Sequence, residues 1–329
     1  MANPVKILVT VARSPDKRAN LRDQLAAALG TLDGVDLAFA SGEPEIVAAL
    51  PGREVMIGVT VTPAMLAAGT SLAWVQLISA GVEHALSPEV LASPVVLTNA
   101  RGMHVTHMSE HVLAYLLAFG RGLPDCIRWQ AKHEWHQREL IERVFTLSGR
   151  TAGIVGLGAI GSGCAERMSA LGMRVVGVRR RNDRPVPRGV DSAYGPEGLE
   201  QVLAQSDVLV IATPHTAATR GMIGAAELAK LKRGAYLVNI ARGQVVDEPA
   251  MLAALSSGQL AGAGLDVFDV EPLPATSPLW DRPDVIITPH SADTPAMTAP
   301  LLETRISENV RAFLGDGRFV GVVDTRAGY

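Results

Sequence analysis

Two successive series of short β-branched runs, each separated from the next by an Ala- and Leu-rich stretch, leave this 329-residue chain few folds to adopt. The first series reads "KILVT", "RDQLAAALG", "VDLAFA", "PEIVAAL", "VMIGVT", "WVQLIS" and "VVLTN", and ends near Asn99. The second begins at "TAGIVGLG" and continues through "MRVVGV", "DVLVIATP", "AYLVNIA", "AGAGLDVF" and "VIITPH". Strands that alternate with helices pair in parallel and are covered by those helices on both faces, so the class is α/β. The six strands of the second series suit a doubly wound nucleotide-binding sheet, and the first series forms a domain of its own. With 48% hydrophobic residues, the chain is long enough to build two cores.

Between the series lies "HMSEHVLAYLLAFGRGLPDCIRWQAKHEW", read as one long helical pattern that packs on the second sheet and whose start serves as a hinge. After "TPHSAD" an amphipathic helix follows in "LLETRISENVRAFLGDG", with Gly315 and Gly317 at its end. Its own pattern does not say where it docks. Thirty basic against thirty-three acidic residues give a net charge of −3, so no general field draws the protein to nucleic acid or an anionic membrane. The apolar run at "VLAYLLAFG" is far shorter than the roughly 20 residues that span a bilayer. Two cysteines and an N-terminus without signal-peptide features predict a soluble, cytoplasmic protein.

"TAGIVGLGAIGSGCAERMSALG" places Gly156, Gly158 and Gly161 in G-x-G-x-x-G between a strand-like and a helix-like run. The first glycine permits the tight turn, the second lets the backbone approach a pyrophosphate, and the third lets helix and strand pack closely. Cys164, one turn into that helix, reads as a small core residue. A competing motif is "HVTHMSEH", where His107 and His111 flank Glu110 in the H-x-x-E-H spacing of a zinc site. Such a site also needs a third ligand at the right distance, and a metalloprotease has no use for the dinucleotide loop that follows, so the expectation is a polar helix start with no metal.

Three segments at the ends of late strands carry residues suited to chemistry: Arg242 in "VNIARGQVVDE", Asp266 and Glu271 in "GLDVFDVEPLP", and His290 in "IITPHSAD". Ligands of open α/β sheets bind beyond the carboxyl ends of the strands, where all of these fall. Together with "SAGVEH", "GLGAIG" and "ATPHTAATRGMIG", the series resembles the D-isomer-specific 2-hydroxyacid dehydrogenase family over nearly the whole chain.

The resemblance implies two Rossmann-like doubly wound domains. Residues 101–290 would be a dinucleotide-binding domain inserted into a flavodoxin-like substrate domain of residues 1–100 and 291–329, with homodimers pairing through the cofactor domains. It implies reduction of a small 2-oxo acid such as glyoxylate or hydroxypyruvate to the D-2-hydroxy acid, with closure of the substrate cleft. His290 would give its proton to the carbonyl oxygen, Glu271 would orient the imidazole and favour its protonated form, and Arg242 would engage the substrate carboxylate and polarise the ketone. Backbone N–H groups of Gly81 and Val82 would hold the other end of that carboxylate. Gly156, Gly158, Ala159 and Ile160 would receive the pyrophosphate, Asp266 would face the nicotinamide carboxamide, and Thr213 and Ile240 would line its path. Trp135 sits where some glyoxylate and hydroxypyruvate reductases send an aromatic residue into the partner's active site. The same fold also oxidises phosphoglycerate, formate or phosphite, or acts as a dinucleotide-sensing corepressor. Phosphoglycerate is disfavoured by the lack of an added basic pair near "IGVTVTPAML", although Arg101 lies close.

The cofactor's identity turns on the strand "MRVVGV". In an NAD site it ends in an acid that binds the adenine ribose; here Arg179 stands at that place, followed by Arg180 and Arg181, with Asp183 only further along. Guanidinium groups contact phosphate oxygens bidentately and stack on adenine, so Arg179 and Arg180 read as a clamp for a 2′-phosphate. NADP is the expected cofactor, with NAD the alternative.

Overall fold

The computed structural model describes residues 3–13 and 20–325. The chain forms two units, Met1–His104 with Asp293–Tyr329, and Val105–Ala292.

In the first unit β1 (Val5–Val9), β2 (Val35–Phe39), β3 (Val55–Gly58), β4 (Trp74–Leu77) and β5 (Val96–Thr98) form a parallel sheet in the order β2-β1-β3-β4-β5, the flavodoxin-like order. Successive side chains of a strand point to opposite faces, so β1 feeds two cores. Leu8 packs with Met56, Leu77 and Ile46 on one face, whereas Ile7 and Val9 pack with Ile57 and Trp74 on the other. Helices α1 (Leu21–Leu29), α2 (Glu43–Ala49), α3 (Pro63–Ala68) and α4 (Pro88–Ala92) connect the strands. The Thr62 and Ser87 hydroxyls cap α3 and α4, which begin at Pro63 and Pro88, the first-turn position proline favours.

The helix whose docking the sequence pattern left open, Pro295–Phe313, lies against α1. Ala299, Leu302, Ile306 and Val310, three or four residues apart, bury with Leu21, Leu25 and Leu29. Its register is fixed by a polar chain inside the core. Fully buried Asn309 donates to Gln76 Oε1 at 2.7 Å and to the Val320 carbonyl at 2.9 Å. Gln76 Oε1 also accepts from the Thr98 hydroxyl, which accepts from Trp74 Nε1, both at 2.8 Å. A shifted helix would strand these buried groups without partners.

In the second unit β6 (Thr151–Val155), β7 (Arg174–Val178), β8 (Ser192–Tyr194), β9 (Val208–Ile211), β10 (Ala235–Asn239), β11 (Leu260–Leu265) and β12 (Val285–Ile287) form a parallel sheet ordered β12-β11-β10-β9-β6-β7-β8. The order reverses between β6 and β9, as in a doubly wound sheet. Seven strands stand where six were expected. The extra one, β8, is a half-buried, three-residue edge strand in a Gly- and Pro-rich segment, too short to show a period.

The long helical pattern expected after residue 104 is also broken. It divides into α5 (Val105–Gly120), α6 (Leu123–Lys132) and α7 (Gln137–Ile141). Gly122 adopts a left-handed conformation, φ 63°, that ends one helix, and Pro124 starts the next. α5 packs on α8 (Ala159–Ala170) and β11. A Cβ on Gly264 would lie 2.6 Å from the Tyr115 ring, so the tyrosine is seated directly on the strand backbone. Helices α9 (Leu199–Gln205), α10 (Ala225–Lys230) and α11 (Glu248–Ser256) complete the layers. Among the described residues no helix is long and apolar enough to cross a membrane.

Candidate active site

The ends of β10, β11 and β12 carry the residues singled out for chemistry. At the end of β10, buried Asn239 shapes the turn that bears Arg242: its Oδ1 accepts from Ala241 N and its Nδ2 donates to the Arg242 carbonyl, both at 3.0 Å. Arg242 is half-buried, and its Nη1 donates to the Ala241 carbonyl at 2.8 Å. Gly243 follows in close contact with the next loop, since a Cβ there would stand 1.9 Å from the Phe268 carbonyl carbon. That loop holds Glu271, whose Oε1 accepts from Phe268 N at 2.9 Å. Its Oε2 pairs with His290 Nδ1 at 2.6 Å. With Nδ1 committed to the carboxylate, Nε2 is the ring nitrogen left for another partner. The His290 side chain is half exposed, so a small molecule can reach it.

Asp266, at the end of β11, is only 1% exposed. Its Oδ1 accepts from the Thr288 hydroxyl at 2.5 Å and Ser291 N at 2.8 Å, and its Oδ2 accepts from Ala292 N at 3.1 Å. Asp266 thus belongs to the turn that carries His290. Thr288 and Asn239 are site residues that the sequence reading missed: a Thr before Pro and an Asn at a strand end are too common to mark on their own.

The phosphate loop follows β6. Gly156 sits at φ 104°, and a Cβ on it would press on the backbone of Ala212 and Thr213, which places Thr213 beside the loop. A Cβ on Gly161 would lie 2.0 Å from the Gly156 carbonyl, so helix and strand touch there. Gly158 differs, being exposed with nothing within 4 Å of an added Cβ. It caps the start of α8, with no side-chain bond to the helix, so the first-turn N–H groups at Ala159 and Ile160 face an open space. Open room above uncapped helix donors fits a dinucleotide pyrophosphate. Ile240 is buried, 4% exposed, in the core beneath β10. Buried Cys164 has its thiol pushed up to about 12 by that burial, the behaviour of a core residue.

At the end of β7, Arg179 N donates to the Tyr194 carbonyl at 3.0 Å, and its guanidinium folds back onto the following loop. Nη1 donates to the Pro185 carbonyl at 2.9 Å and Nη2 to the Arg184 carbonyl. Arg180 and Arg181 are exposed. Of the zinc-like motif, His111 Nε2 meets the Thr288 hydroxyl at 3.0 Å, and Glu110 is exposed on another face of α5.

In the first unit, Gly81 and Val82 form a turn after β4, braced where the Ser79 hydroxyl donates to the Gly81 carbonyl and Asn99 Nδ2 to the Ala80 carbonyl, each at 2.7 Å. Among the described residues the N–H groups of Gly81 and Val82 donate to no protein acceptor, which suits an anion site. Between α6 and α7, Trp135 is 88% exposed, and it lines a groove of about 490 Å³ with Trp129 and Leu140; Ile127 on α6 and Ile141 on α7 are exposed as well.

The family model for the D-isomer specific 2-hydroxyacid dehydrogenase NAD binding domain matches residues 113–292. The chain is 36% identical over 225 residues to a glyoxylate reductase of Korarchaeum cryptofilum, a match covering 67% of this chain and 66% of that protein. It is 33% identical over 325 residues to a D-3-phosphoglycerate dehydrogenase of Mycobacterium bovis, covering 97% of this chain and 58% of the relative. These matches therefore span less than two thirds of those relatives' own length. Among solved structures, the NADPH-dependent glyoxylate/hydroxypyruvate reductase of Sinorhizobium meliloti, in complex with NADP and sulfate, superposes with a TM-score of 0.82 at 30% identity, covering 98% of this chain and 99% of that one. The glycine loop on a doubly wound sheet, the Arg, Glu and His at its strand ends and these likenesses agree: the chain belongs to the D-isomer-specific 2-hydroxyacid dehydrogenase family.

Proposed function

We propose that the protein is a cytoplasmic oxidoreductase that reduces a small 2-oxo acid, of the glyoxylate or hydroxypyruvate class, to the D-2-hydroxy acid. The observation that carries this reading is the 2.6 Å pair of His290 Nδ1 with Glu271 Oε2. It fixes the ring and leaves Nε2 to protonate a carbonyl oxygen. Bound NAD(P)H supplies the hydride to C2. Arg242 holds the substrate carboxylate and draws charge from the ketone, and the N–H groups of Gly81 and Val82 take the other carboxylate oxygen. Glu271 stabilises the ring while it is charged.

Gly156, Gly158, Ala159 and Ile160 hold the pyrophosphate, and Thr213, Ile240 and Asp266 frame the nicotinamide end. Arg179 and Arg180 favour NADPH through its 2′-phosphate, for no acid stands at the end of β7. The solved relative from Sinorhizobium meliloti, an NADPH-dependent enzyme, supports that preference. The exposed apolar side chains of Trp135, Ile127 and Ile141 support a homodimer that pairs through the cofactor domains.

The likeness to phosphoglycerate dehydrogenases favours a second substrate class. Against it, Arg101, the cation nearest that role in sequence, has one Nη on the Val322 carbonyl at 3.3 Å. Purified protein with NADPH or NADH and a panel of 2-oxo acids, run beside phosphoglycerate with the oxidised cofactors, decides between them. His290→Ala is expected to remove most turnover and leave cofactor affinity intact. Wild-type turnover in that variant would overturn the assignment of the acid.

A further inference from the structure

His290 stands at φ 50°, in the left-handed region that a residue with a Cβ seldom occupies unless its surroundings impose it. The imposition is visible. His290 N donates to the Asp266 carbonyl at 2.9 Å and to the Thr288 carbonyl at 3.0 Å, while the next two N–H groups, of Ser291 and Ala292, donate to the Asp266 carboxylate. The fourth holder is the Thr288 side chain, and the direction of its bonds can be worked out. A hydroxyl has one proton and two lone pairs. The buried carboxylate can only accept, so the Thr288 proton goes to Asp266 Oδ1 at 2.5 Å. The other two partners must then donate to Thr288: the Tyr115 hydroxyl at 2.5 Å and His111 Nε2 at 3.0 Å.

Both donors come from α5, four residues apart on one face, with their rings packed edge to face at 4.8 Å. Burial lowers the His111 ring below the ordinary imidazole range against the opposing pull of Asp266, and it raises the Tyr115 phenol. A neutral ring protonated at Nε2 and an intact phenol are the species this arrangement requires. The Thr288 hydroxyl is then used to its full capacity, one bond given and two accepted, with His111 Nε2 also 3.7 Å from Asp266 Oδ1, and such a network constrains its members' geometry.

We propose that Thr288 is a positioning residue for the reaction: oriented by Tyr115 and His111, its hydroxyl locks the Asp266 carboxylate and so fixes the 288–292 turn that presents the His290 imidazole. Thr288 touches neither substrate nor cofactor in this role. The proposal rests on the reading of His290 as the acid, and its experiment has one arm that needs no turnover.

Thr288→Val keeps the shape and removes the hydroxyl; Thr288→Ser keeps the hydroxyl. In the full-length protein, Thr288→Val is expected to lower kcat about tenfold, the worth of one buried hydrogen bond, with substrate KM near wild type. Thr288→Ser is expected to recover most of that loss, and Tyr115→Phe to lose less than Thr288→Val. Without any ligand, amide hydrogen exchange at Ser291 and Ala292 is expected to quicken in Thr288→Val and not in Thr288→Ser. Wild-type kcat and exchange in Thr288→Val would overturn the proposal. Equal loss in the Val and Ser variants, or quickened exchange spread evenly over β11 and β12, would do the same by showing a packing role. If His290→Ala keeps wild-type turnover, the reading of the acid fails, and the exchange arm alone decides whether Thr288 fixes the turn.

Discussion

Replacing Gly243 with alanine tests whether the Arg242 turn and the Glu271 loop are held in register by direct backbone contact. The added Cβ would stand 1.9 Å from the Phe268 carbonyl carbon, 2.1 Å from its oxygen and 2.3 Å from Asp269 N. Ordinary contact begins at 3.4 Å, so the two segments must separate by about 1.5 Å, and the obstacle is backbone that no rotamer change can clear. Overpacking of this kind costs about 1–3 kcal/mol. For a unit of this size each kcal/mol lowers Tm by about 2–4 °C, so a fall of roughly 2–12 °C is expected by calorimetry. The chemical cost is larger. Arg242 lies on one side of the contact and Glu271, with His290, on the other, and a misplacement of about 1 Å costs on the order of a hundredfold in rate. kcat/KM for the best 2-oxo acid, measured well below the variant's Tm, should fall by about that factor. A Gly243→Ala protein with wild-type Tm and wild-type kcat/KM would refute the claim that this contact sets the geometry of the site.

Gly158→Ala should behave in the opposite way, since its Cβ meets nothing within 4 Å. Tm should hold or rise slightly, while cofactor affinity, measured by titration calorimetry, drops about tenfold as the methyl fills the pyrophosphate's place; unchanged affinity would remove the loop from the cofactor site. Arg179→Asp should lower kcat/KM for NADPH by roughly tenfold to a hundredfold more than for NADH, and equal wild-type kcat/KM for the two cofactors would end the clamp argument. His111 carries a signed pH effect. Its ring is held neutral by burial, so unfolding takes up a proton below the unfolded value of about 6.5, and this part of the stability is present above that pH and lost as pH falls below it. Urea unfolding between pH 8 and 5 should therefore show a shallower acid loss in His111→Gln than in wild type; parallel slopes would contradict it.

The parallel sheets and the glycine loop were legible because their signals are local: continuous apolar runs for strands such as "DVLVIATP", and a glycine spacing that a tight turn demands. Arg242, Glu271 and His290 were found by their place after strands, and Glu271 and His290 meet at 2.6 Å. What escaped depends on distant partners or on very short elements. β8 has three residues and no period to read. The break after α5 lies at Gly122 and Pro124, a local signal that the reading of one long helical pattern did not use. Thr288 gains its meaning only from His111 and Tyr115, more than 170 positions earlier, and Asp266 turned out to spend its carboxylate on the His290 turn. No spacing rule reaches across such separations.

The docking of the Pro295–Phe313 helix also orders events on the ribosome. One face of the first sheet is covered by α1 and, from far along the chain, by Ala299, Leu302, Ile306 and Val310, yet every strand of that sheet is synthesised before residue 99. The whole of Val105–Ala292 is made in between. At synthesis rates of 5–20 residues per second, the nascent sheet waits about 10–40 s with Ile7, Val9 and Ile57 incompletely covered. The Val105–Ala292 unit, begun second, can thus finish folding first, and the N-terminal strands are the ones a holding chaperone should find.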